Sequence, residues 1–269
     1  MNNIVLFDMD GTLTEPRKVI KNNIIPALRE LCKITEIGIV TGSDYDYVRQ
    51  QIGTLLENTE LRYRIHILPC NGTKYYPPPN IANKEYQIAH QVNMREELGE
   101  SNFRAIIRYL LQRQHLLFVY DLPVTGHHIN YRGSLINWCP IGRNANDNDR
   151  DTFIEFDTRT SNTFREDEIN GFKIRVTRDM NIENIVIKMG GDTSFDIFPK
   201  GWDKTYCLRH FSNYQPAYFV GDRCEHNGND WEIYQALRYN GRAFKTSGPE
   251  ETSRIIFDDI IPAILKDKE

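Results

Sequence analysis

Asp8-Met9-Asp10-Gly11-Thr12-Leu13-Thr14 follows directly after the short apolar run Ile4-Val5-Leu6-Phe7 near the start of this chain. A continuous apolar run is typical of a strand that is buried on both faces in a parallel sheet, which predicts that the two aspartates lie at its carboxyl end. One carboxylate there can attack phosphorus while the other exchanges a proton with the leaving oxygen. Gly11 allows a sharp turn after the strand. The stretch therefore predicts phosphoryl transfer through an aspartyl phosphate.

A calcium-binding loop is the alternative interpretation of an Asp-x-Asp-Gly pattern. In this chain Gly11 follows the second aspartate directly, and no third carboxylate follows at the spacing that a helix-loop-helix calcium site requires. The spacing therefore favours phosphoryl transfer over calcium binding.

Strand and helix patterns alternate through about the first 70 residues. Apolar runs predict strands and apolar residues at helical spacing predict helices. The predicted strands are 4–7, 37–40 and 65–68, and the predicted helices cover 24–31 and begin again at about residue 44. Such alternation predicts an α/β fold, a Rossmann-like doubly wound parallel sheet with helices on both faces. The right-handed crossover rule then places Asp8 and Thr41 at the same edge of this sheet.

The pattern changes after Pro77-Pro78-Pro79-Asn80, which predicts a hinge into an inserted domain. The elements predicted in the insert are a helix capped by Ser101, alternating strands within 127–139, a helix near 164–178 and strands near 184–198. We therefore predict a core domain of residues 1–81 and 200–269 and an α+β cap domain of residues 82–199. A helix that begins at Pro249 is predicted to end the core.

Composition narrows the class of protein. The chain has 269 residues and a formal net charge of −4, which does not favour a nucleic-acid partner. No apolar run approaches the roughly 18 residues of a membrane span, and the N-terminus lacks the features of a signal peptide. The five cysteines include no Cys-x-x-Cys pair, which predicts reduced thiols in a cytoplasmic protein.

The stretch from Asp8 to Thr14 resembles the first motif of the haloacid dehalogenase superfamily of phosphatases and phosphomutases. The second motif of that superfamily is a strand that ends in a small hydroxyl residue, and Ile37–Val40 followed by Thr41-Gly42-Ser43 fits it. Both hydroxyls can donate a hydrogen bond to a phosphate oxygen. Ser43 or Asp44 can equally serve as the N-cap of the helix that follows.

The third and fourth motifs of the superfamily also have candidates. Lys204 in Gly201-Trp202-Asp203-Lys204 is the candidate for the lysine that neutralises the phosphate and the nucleophile. Asp222, which ends an apolar run, and Asp230 are the candidates for holding magnesium. Hard oxygen ligands beside a phosphate favour Mg²⁺, which usually keeps several waters and needs only one or two protein carboxylates.

Stretches spread over almost the whole chain are similar to the eukaryotic-type phosphomannomutase family. They are Leu6–Thr14 with Pro16-Arg17, Pro140-Ile141-Gly142-Arg143, Ser194–Pro199, Gly201–Leu208, Gly228-Asn229-Asp230 and Pro249–Thr252. The Gly-Trp-Asp-Lys and Pro-Ile-Gly-Arg blocks are more specific than Asp-x-Asp-Gly, which the whole superfamily shares. The resemblance implies a haloacid dehalogenase fold with an inserted cap.

The resemblance also implies roles for polar residues of the cap. On one polar face of the cap sheet, arginines can grip a phosphate in two places. The residues that match the family's substrate contacts are Arg132, Arg143 and Arg150 for the distal phosphate, Ser194 and Asp196 for sugar hydroxyls, and Arg17 on the core side. A homodimer formed through the cap is a further implication.

The predicted mechanism assigns Asp8 as the nucleophile and Asp10 as the general acid and base. Mg²⁺ held by Asp8, the Asp10 carbonyl and Asp222, together with Lys204, neutralises the developing charge. The expected reaction interconverts mannose 6-phosphate and mannose 1-phosphate, with a hexose 1,6-bisphosphate as activator. Retention of both aspartates with Lys204 argues against a third interpretation, a catalytically silent binding protein on this fold.

Three departures from the family pattern keep a sugar-phosphate phosphatase open as an alternative. Thr41 stands where the family usually has Gly and resembles the phosphatase branches, and Asp192 stands where Gln is usual. An added carboxylate near a substrate phosphate would repel it. The stretch Arg223–Asn227 is an unusual lead-in to Gly228-Asn229-Asp230. The sequence therefore predicts an enzyme that acts on a phosphohexose, and it leaves both the mutase and the phosphatase activity open.

Overall fold

A computed structural model describes residues 2–159 and 164–267. These residues fall into two compact units. The core unit contains the chain up to Gln91 and from Asp203 onward, and the insert unit contains Val92–Trp202. Of the helices described, none combines the length and the apolar composition needed to cross a membrane.

The strands are β1 (Asn2–Phe7), β2 (Glu36–Val40), β3 (Ile65–Leu68), β4 (Lys74–Tyr75), β5 (His90–Gln91), β6 (Ile129–Tyr131), β7 (Ile136–Trp138), β8 (Ile185–Gly190), β9 (Ser194–Pro199), β10 (Tyr214–Gly221) and β11 (Ala243–Lys245). Short strands β4 and β5 pair with each other in antiparallel fashion. Because of this pairing, the chain between residue 82 and Gln91 lies in the core unit, although the sequence pattern predicted that the cap begins at residue 82.

The α-helices are α1 (Ile25–Cys32), α2 (Tyr45–Asn58), α3 (Met94–Leu98), α4 (Glu100–Leu116), α5 (Asp147–Thr158), α6 (Phe164–Phe172), α7 (Trp231–Arg238), α8 (Pro249–Ile255) and α9 (Ile261–Lys266). Pro249 begins α8, as predicted. A 3-10 segment covers Lys204–Phe211, and π-helical turns cover Lys173–Asp179 and Ile256–Ile260.

The core unit is built on a parallel sheet with the strand order β11-β10-β1-β2-β3. This confirms the α/β prediction and the three strands predicted in the first part of the chain. The chain runs outward from β1 through β2 to β3, and it later returns to the other side of β1 through β10. The order therefore reverses next to β1, and ligands of open α/β sheets bind at the carboxyl ends of strands at such a switch point.

β1 is enclosed on both faces, and its residues from Ile4 to Phe7 have no exposed surface. Val5 and Phe7 pack in one apolar cluster with residues of α1, α2 and the C-terminal helices. Ile4 and Leu6 pack on the opposite face with residues of the 3-10 segment and α7. Each such side chain stabilises the fold by about 1.5–3 kcal/mol on burial. Packing on both faces fixes where the end of β1 lies.

The insert unit contains an antiparallel sheet with the strand order β6-β7-β9-β8. Two helix predictions in this unit were wrong in detail. Ser101 lies inside α4 and does not cap it, because α3 ends at Leu98 and Gly99, whose φ is 77°, leads directly into Glu100 at the start of α4. The helix predicted over 164–178 is α-helical only to Phe172 and continues as a π-helical turn.

Candidate active site

The turn after β1 requires a glycine for two reasons. Gly11 has a φ of +79°, in the left-handed region that residues with a Cβ rarely adopt. A Cβ at this position would also lie 2.2 Å from Oδ2 of Asp222, at the end of the neighbouring strand β10. The Gly11 N–H donates to the Thr14 carbonyl at 2.8 Å, which closes the turn. The backbone of the turn therefore passes directly against the carboxylate of Asp222.

Lys204 connects two carboxylates in the interior of the core unit. The side chain has no exposed surface, and its Nζ donates to Oδ1 of Asp8 and, at 2.5 Å, to Oδ1 of Asp230. Asp203 positions it by capping the 3-10 segment, since its side chain accepts from the Thr205 N–H at 2.9 Å. A buried ammonium requires such partners, because an unpaired charge in a low dielectric is strongly unfavourable.

The charges of this cluster shift the acidity of its members. Burial alone would lower the pKa of Lys204, but the neighbouring charges of Asp230 and Asp8 outweigh it and hold that pKa above its usual value. Burial raises the pKa of Asp8 against the opposing effect of Lys204, and the charges of Asp230 and Asp222 raise it further. Burial and then Asp230 raise the pKa of Asp222 from 3.8 to about 6. One ammonium therefore does not neutralise three crowded carboxyl groups.

The same carboxyl groups fit a divalent cation. Asp8, Asp222 and Asp230 each offer an oxygen within 4.8 Å of the others. Oδ1 of Asp222 is buried, and no described residue donates a hydrogen bond to it. Both oxygens of Asp230 already accept, one from Lys204 and the other from the Arg223 N–H at 3.0 Å. Hard oxygen ligands with excess negative charge are the donor set that Mg²⁺ prefers.

The carboxylate of Asp10 lies in a separate network. Its Oδ1 accepts from the Arg17 backbone N–H at 2.8 Å, from Nε2 of Gln51 at 2.9 Å and from the Tyr47 hydroxyl at 3.3 Å. The sequence interpretation did not include Gln51 or Tyr47. A signal for Gln51 was present, since it is a polar residue on the apolar side of α2, next to the buried Ile52.

The predicted phosphate-binding loop lies at the end of β2, beside β1 in the sheet. Thr41 is buried, and its Oγ1 accepts from the Ser43 N–H at 3.1 Å. The Thr41 carbonyl accepts from the Asn71 N–H at 2.8 Å, which ties the loop to the end of β3. Asp44, and not Ser43, supplies the helix cap, because its side chain accepts from the Tyr45 N–H at 2.7 Å. Thr41 and Ser43 therefore lie at the strand end predicted for them.

A second polar network lies in the insert unit, on β7 and β9. Asn137 is opposite Asp196 in the pairing of these strands, and its Nδ2 donates to Oδ1 of Asp196 at 2.8 Å and to Oγ of Ser194 at 3.0 Å. Its Oδ1 accepts from Nη1 of Arg143 at 3.0 Å. Three of the residues predicted to bind substrate are therefore joined through Asn137, a buried residue that the sequence interpretation missed.

Two further arginines of the predicted set also lie in the insert unit. Nη1 of Arg150 donates to Oγ1 of Thr193 at 2.7 Å, directly beside Ser194 in the chain. Arg132 is buried in the turn that joins β6 to β7, where its N–H donates to the Leu135 carbonyl at 2.8 Å. The remaining predicted residue, Arg17, lies in the core unit and has a φ of 62°.

Comparison with known proteins identifies relatives over most of the chain. The family model of eukaryotic phosphomannomutase matches residues 24–261. Phosphomannomutase of Glycine max is 33% identical over 251 residues, which cover 93% of this chain and 92% of the relative. Phosphomannomutase of Arabidopsis thaliana is 31% identical over 254 residues, which cover 93% of both chains.

Solved structures extend the comparison to the fold. IMP-bound, N-terminally truncated IMP-nucleotidase of Plasmodium falciparum has a TM-score of 0.64 at 14% identity, covering 98% of this chain and 68% of that one. A protein of Streptococcus mutans UA159 has a TM-score of 0.59 at 14% identity, covering 99% of this chain and 100% of that one. This likeness shows the haloacid dehalogenase fold and nothing finer. Because the family model spans most of the chain and the relatives agree with it, the chain belongs to the eukaryotic phosphomannomutase family.

Proposed function

We propose that this protein interconverts mannose 6-phosphate and mannose 1-phosphate through a phosphate ester on Asp8. The arrangement at the end of β1 carries the proposal. Lys204 contacts Asp8 and Asp230 there, and the carboxylate of Asp222 lies next to both of them. A nucleophilic carboxylate beside a buried ammonium and excess carboxylates suits phosphoryl transfer, whose charge must be neutralised by fixed groups. Family membership supplies the substrate class.

In the proposed reaction Asp8 forms a bond to phosphorus while the bond from phosphorus to the sugar oxygen breaks. The proton that the sugar oxygen needs comes from Asp10, which recovers one from the attacking hydroxyl in the reverse half-reaction. The ammonium group of Lys204 neutralises negative charge on the Asp8 carboxylate and on the phosphoryl oxygens. Hydroxyls of Thr41 and Ser43 donate to those oxygens and keep the group in line with Asp8.

Mg²⁺ is the proposed cofactor. Asp8, Asp222 and the Asp10 carbonyl would hold it, with Asp230 completing the acidic cluster. When bound, it would supply positive charge to the phosphoryl oxygens as the transition state forms. The crowding of the three carboxyl groups and the buried, unpaired Oδ1 of Asp222 support this assignment.

The insert unit is proposed to bind the phosphate that is not reacting. Arg132, Arg143 and Arg150 would grip it, and Ser194 and Asp196 would bind sugar hydroxyls, with Arg17 contacting substrate from the core. A mutase needs this because a hexose 1,6-bisphosphate, proposed as the activator, must be held in either orientation. The network through Asn137 supports the proposal by fixing Arg143, Ser194 and Asp196 relative to one another.

We also propose that two copies associate through the insert unit. The end of α4 and the following turn expose large apolar side chains: Leu116 is 50% exposed, Phe118 67% and Val119 79%. Several large apolar side chains exposed close together in the chain favour a protein contact there. Sedimentation analysis of Phe118→Glu with Val119→Glu should show a monomer if this surface forms the dimer.

One experiment tests the activity. The protein is incubated with Mg²⁺, mannose 1-phosphate and a catalytic amount of hexose 1,6-bisphosphate, and both mannose 6-phosphate and free phosphate are followed. Isomer without phosphate supports the mutase, and Asp8→Asn should then be inactive. Phosphate without isomer overturns the mutase in favour of a sugar-phosphate phosphatase. That activity is the second candidate because Thr41 stands where the family usually has Gly and resembles the phosphatase branches. If neither mannose 6-phosphate nor free phosphate forms, a binding protein without catalytic activity is the remaining interpretation.

A further inference from the structure

The three donors that reach Asp10 all converge on one of its two oxygens. Arg17 N–H, Gln51 Nε2 and the Tyr47 hydroxyl donate to Oδ1 at 2.8, 2.9 and 3.3 Å. No residue that the structure describes is recorded as donating to Oδ2. We infer that Gln51 is a positioning residue that fixes Oδ1 of Asp10, so that Oδ2 is the oxygen that exchanges the proton with the sugar. This inference rests on the proposed role of Asp10.

Gln51 is itself held in a single orientation. The side chain is 2% exposed, and its Oε1 accepts from the Thr14 hydroxyl at 2.8 Å, which is shorter than the 3.2 Å from that hydroxyl to the Met9 carbonyl. Thr14 is 1% exposed and lies in the turn that follows β1. With its carbonyl oxygen bonded to Thr14, the amide must present its NH₂ group to Asp10. The reversed amide would place a carbonyl oxygen against the carboxylate, which is unfavourable for a buried acceptor pair.

The backbone around Gln51 joins the same elements. The Gln51 carbonyl accepts from the Ile20 N–H at 2.9 Å, so α2 is tied to the segment that begins at Arg17. That segment supplies the backbone donor to Asp10. Three separate pieces of chain therefore meet at Oδ1 of Asp10. They are the turn after β1, the segment 17–20 and α2. A buried amide at their junction fixes the rotation of the carboxyl group.

Rotation matters because proton transfer requires the donor oxygen within hydrogen-bond reach of the oxygen that receives the proton. The three donors occupy the lone-pair directions of Oδ1, so Oδ2 is the oxygen that remains available to face the sugar. In the forward half-reaction the proton passes from Oδ2 to the sugar oxygen as its bond to phosphorus breaks. In the reverse half-reaction the attacking hydroxyl returns a proton to Oδ2 as its oxygen bonds to phosphorus and the bond from phosphorus to the Asp8 oxygen breaks.

Substitution of Gln51 by Met tests the inference, because Met has a similar volume and no donor. The matched control is Gln50→Met, since Gln50 is the exposed neighbour on the same helix. The variants are assayed in single turnovers for the rate of phosphoryl transfer to Asp8, because the later departure of the group from Asp8 needs Asp10 with either substrate. One substrate is a phosphohexose, whose leaving oxygen needs a proton, and the other is 4-nitrophenyl phosphate, whose leaving anion is stable without one. For Gln51→Met we expect this rate to fall about 10- to 100-fold with the phosphohexose and about 3-fold or less with the aryl ester, and KM for the phosphohexose to change little. Gln50→Met should match the parent.

A merely structural role for Gln51 would lower this rate equally with both substrates, and that result would overturn the inference, as would an unchanged rate. A second readout uses the Asp10→Asn background. There Gln51→Met should change the residual single-turnover rate with the phosphohexose by about 2-fold or less, because the group that it positions no longer carries a proton. An additive loss would contradict the inference.

Thr14→Val provides an independent variant if Gln51→Met fails to fold. It removes the hydroxyl that orients the amide, so it should show the same dependence on the leaving group, and Thr14→Ser should restore turnover. Failure of the mutase proposal is distinguishable from failure of this one. A protein that only releases phosphate would still reveal the dependence on the leaving group, whereas a proven mutase with equal losses would refute only the role of Gln51.

Discussion

Removal of the ammonium of Lys204 should destabilise the core unit strongly at neutral pH. Lys204→Met keeps an unbranched apolar stem, so packing changes little, but Asp8 and Asp230 lose the charge that both of them contact. Breaking a fully buried ion pair costs about 3–5 kcal/mol because the partner charges remain without compensation. At about 2–4 °C per kcal/mol, the midpoint of thermal unfolding should fall by roughly 6–20 °C.

Thermal unfolding followed by circular dichroism in EDTA at pH 7 measures this loss. Lys266→Met, at an exposed lysine of the same unit, is the control and should shift the free energy of unfolding by less than about 0.5 kcal/mol. The deficit of Lys204→Met should shrink as the pH is lowered to about 5, because buried carboxyls that have lost the ammonium take up protons in the folded state. A deficit below about 1 kcal/mol, or one independent of pH, would refute the proposed charge balance.

Three further predictions concern Asp222, Gly11 and Asn137. In metal-free protein, burial and Asp230 raise the pKa of Asp222 from 3.8 to about 6. The free energy of unfolding should therefore be highest below about pH 4 and should fall by about 3 kcal/mol as the pH rises through 6. Urea unfolding against pH should show this loss in the parent and not in Asp222→Asn, and saturating Mg²⁺ should abolish it. Gly11→Ala should weaken Mg²⁺ binding measured by calorimetry, since its Cβ would lie 2.2 Å from Asp222; unchanged affinity would contradict the close approach. Asn137→Ala should raise KM for phosphohexose about 10-fold with less effect on kcat, because Arg143 and Asp196 lose their common partner; a selective loss of kcat would count against a binding role.

Much of the core unit could be predicted from the sequence, because its elements depend on local periodicity. The apolar runs at 4–7, 37–40 and 65–68 lie within β1, β2 and β3, and the right-handed crossover rule brings the ends of β1 and β2 together. The helix prediction at Ser101 failed for a local reason that the pattern does not contain. Gly99 adopts a left-handed conformation between α3 and α4, and apolar spacing does not report where two adjacent helices are divided.

Contacts between distant segments were beyond the reach of periodicity. Lys204 is one of 33 lysines and arginines, and only the resemblance to a known family singled it out in the sequence. Its contact with Asp8 spans 196 positions of the chain. Asn137 looks locally like an ordinary polar residue, and the signal at Gln51 was only its position on the apolar side of α2. The importance of both residues comes from the groups that they meet.

Local sequence was enough to predict β1, β2 and β3, the two aspartates at the end of β1 and the family of the chain, because these depend on neighbouring residues. The folding of distant segments was needed to place Lys204 between Asp8 and Asp230 and to bring three donors to one oxygen of Asp10. A side chain at the end of a strand acquires its partners from segments brought there by sheet order and packing. Local sequence fixes the strand, whereas the burial of charge and the direction of each hydrogen bond depend on the whole core unit.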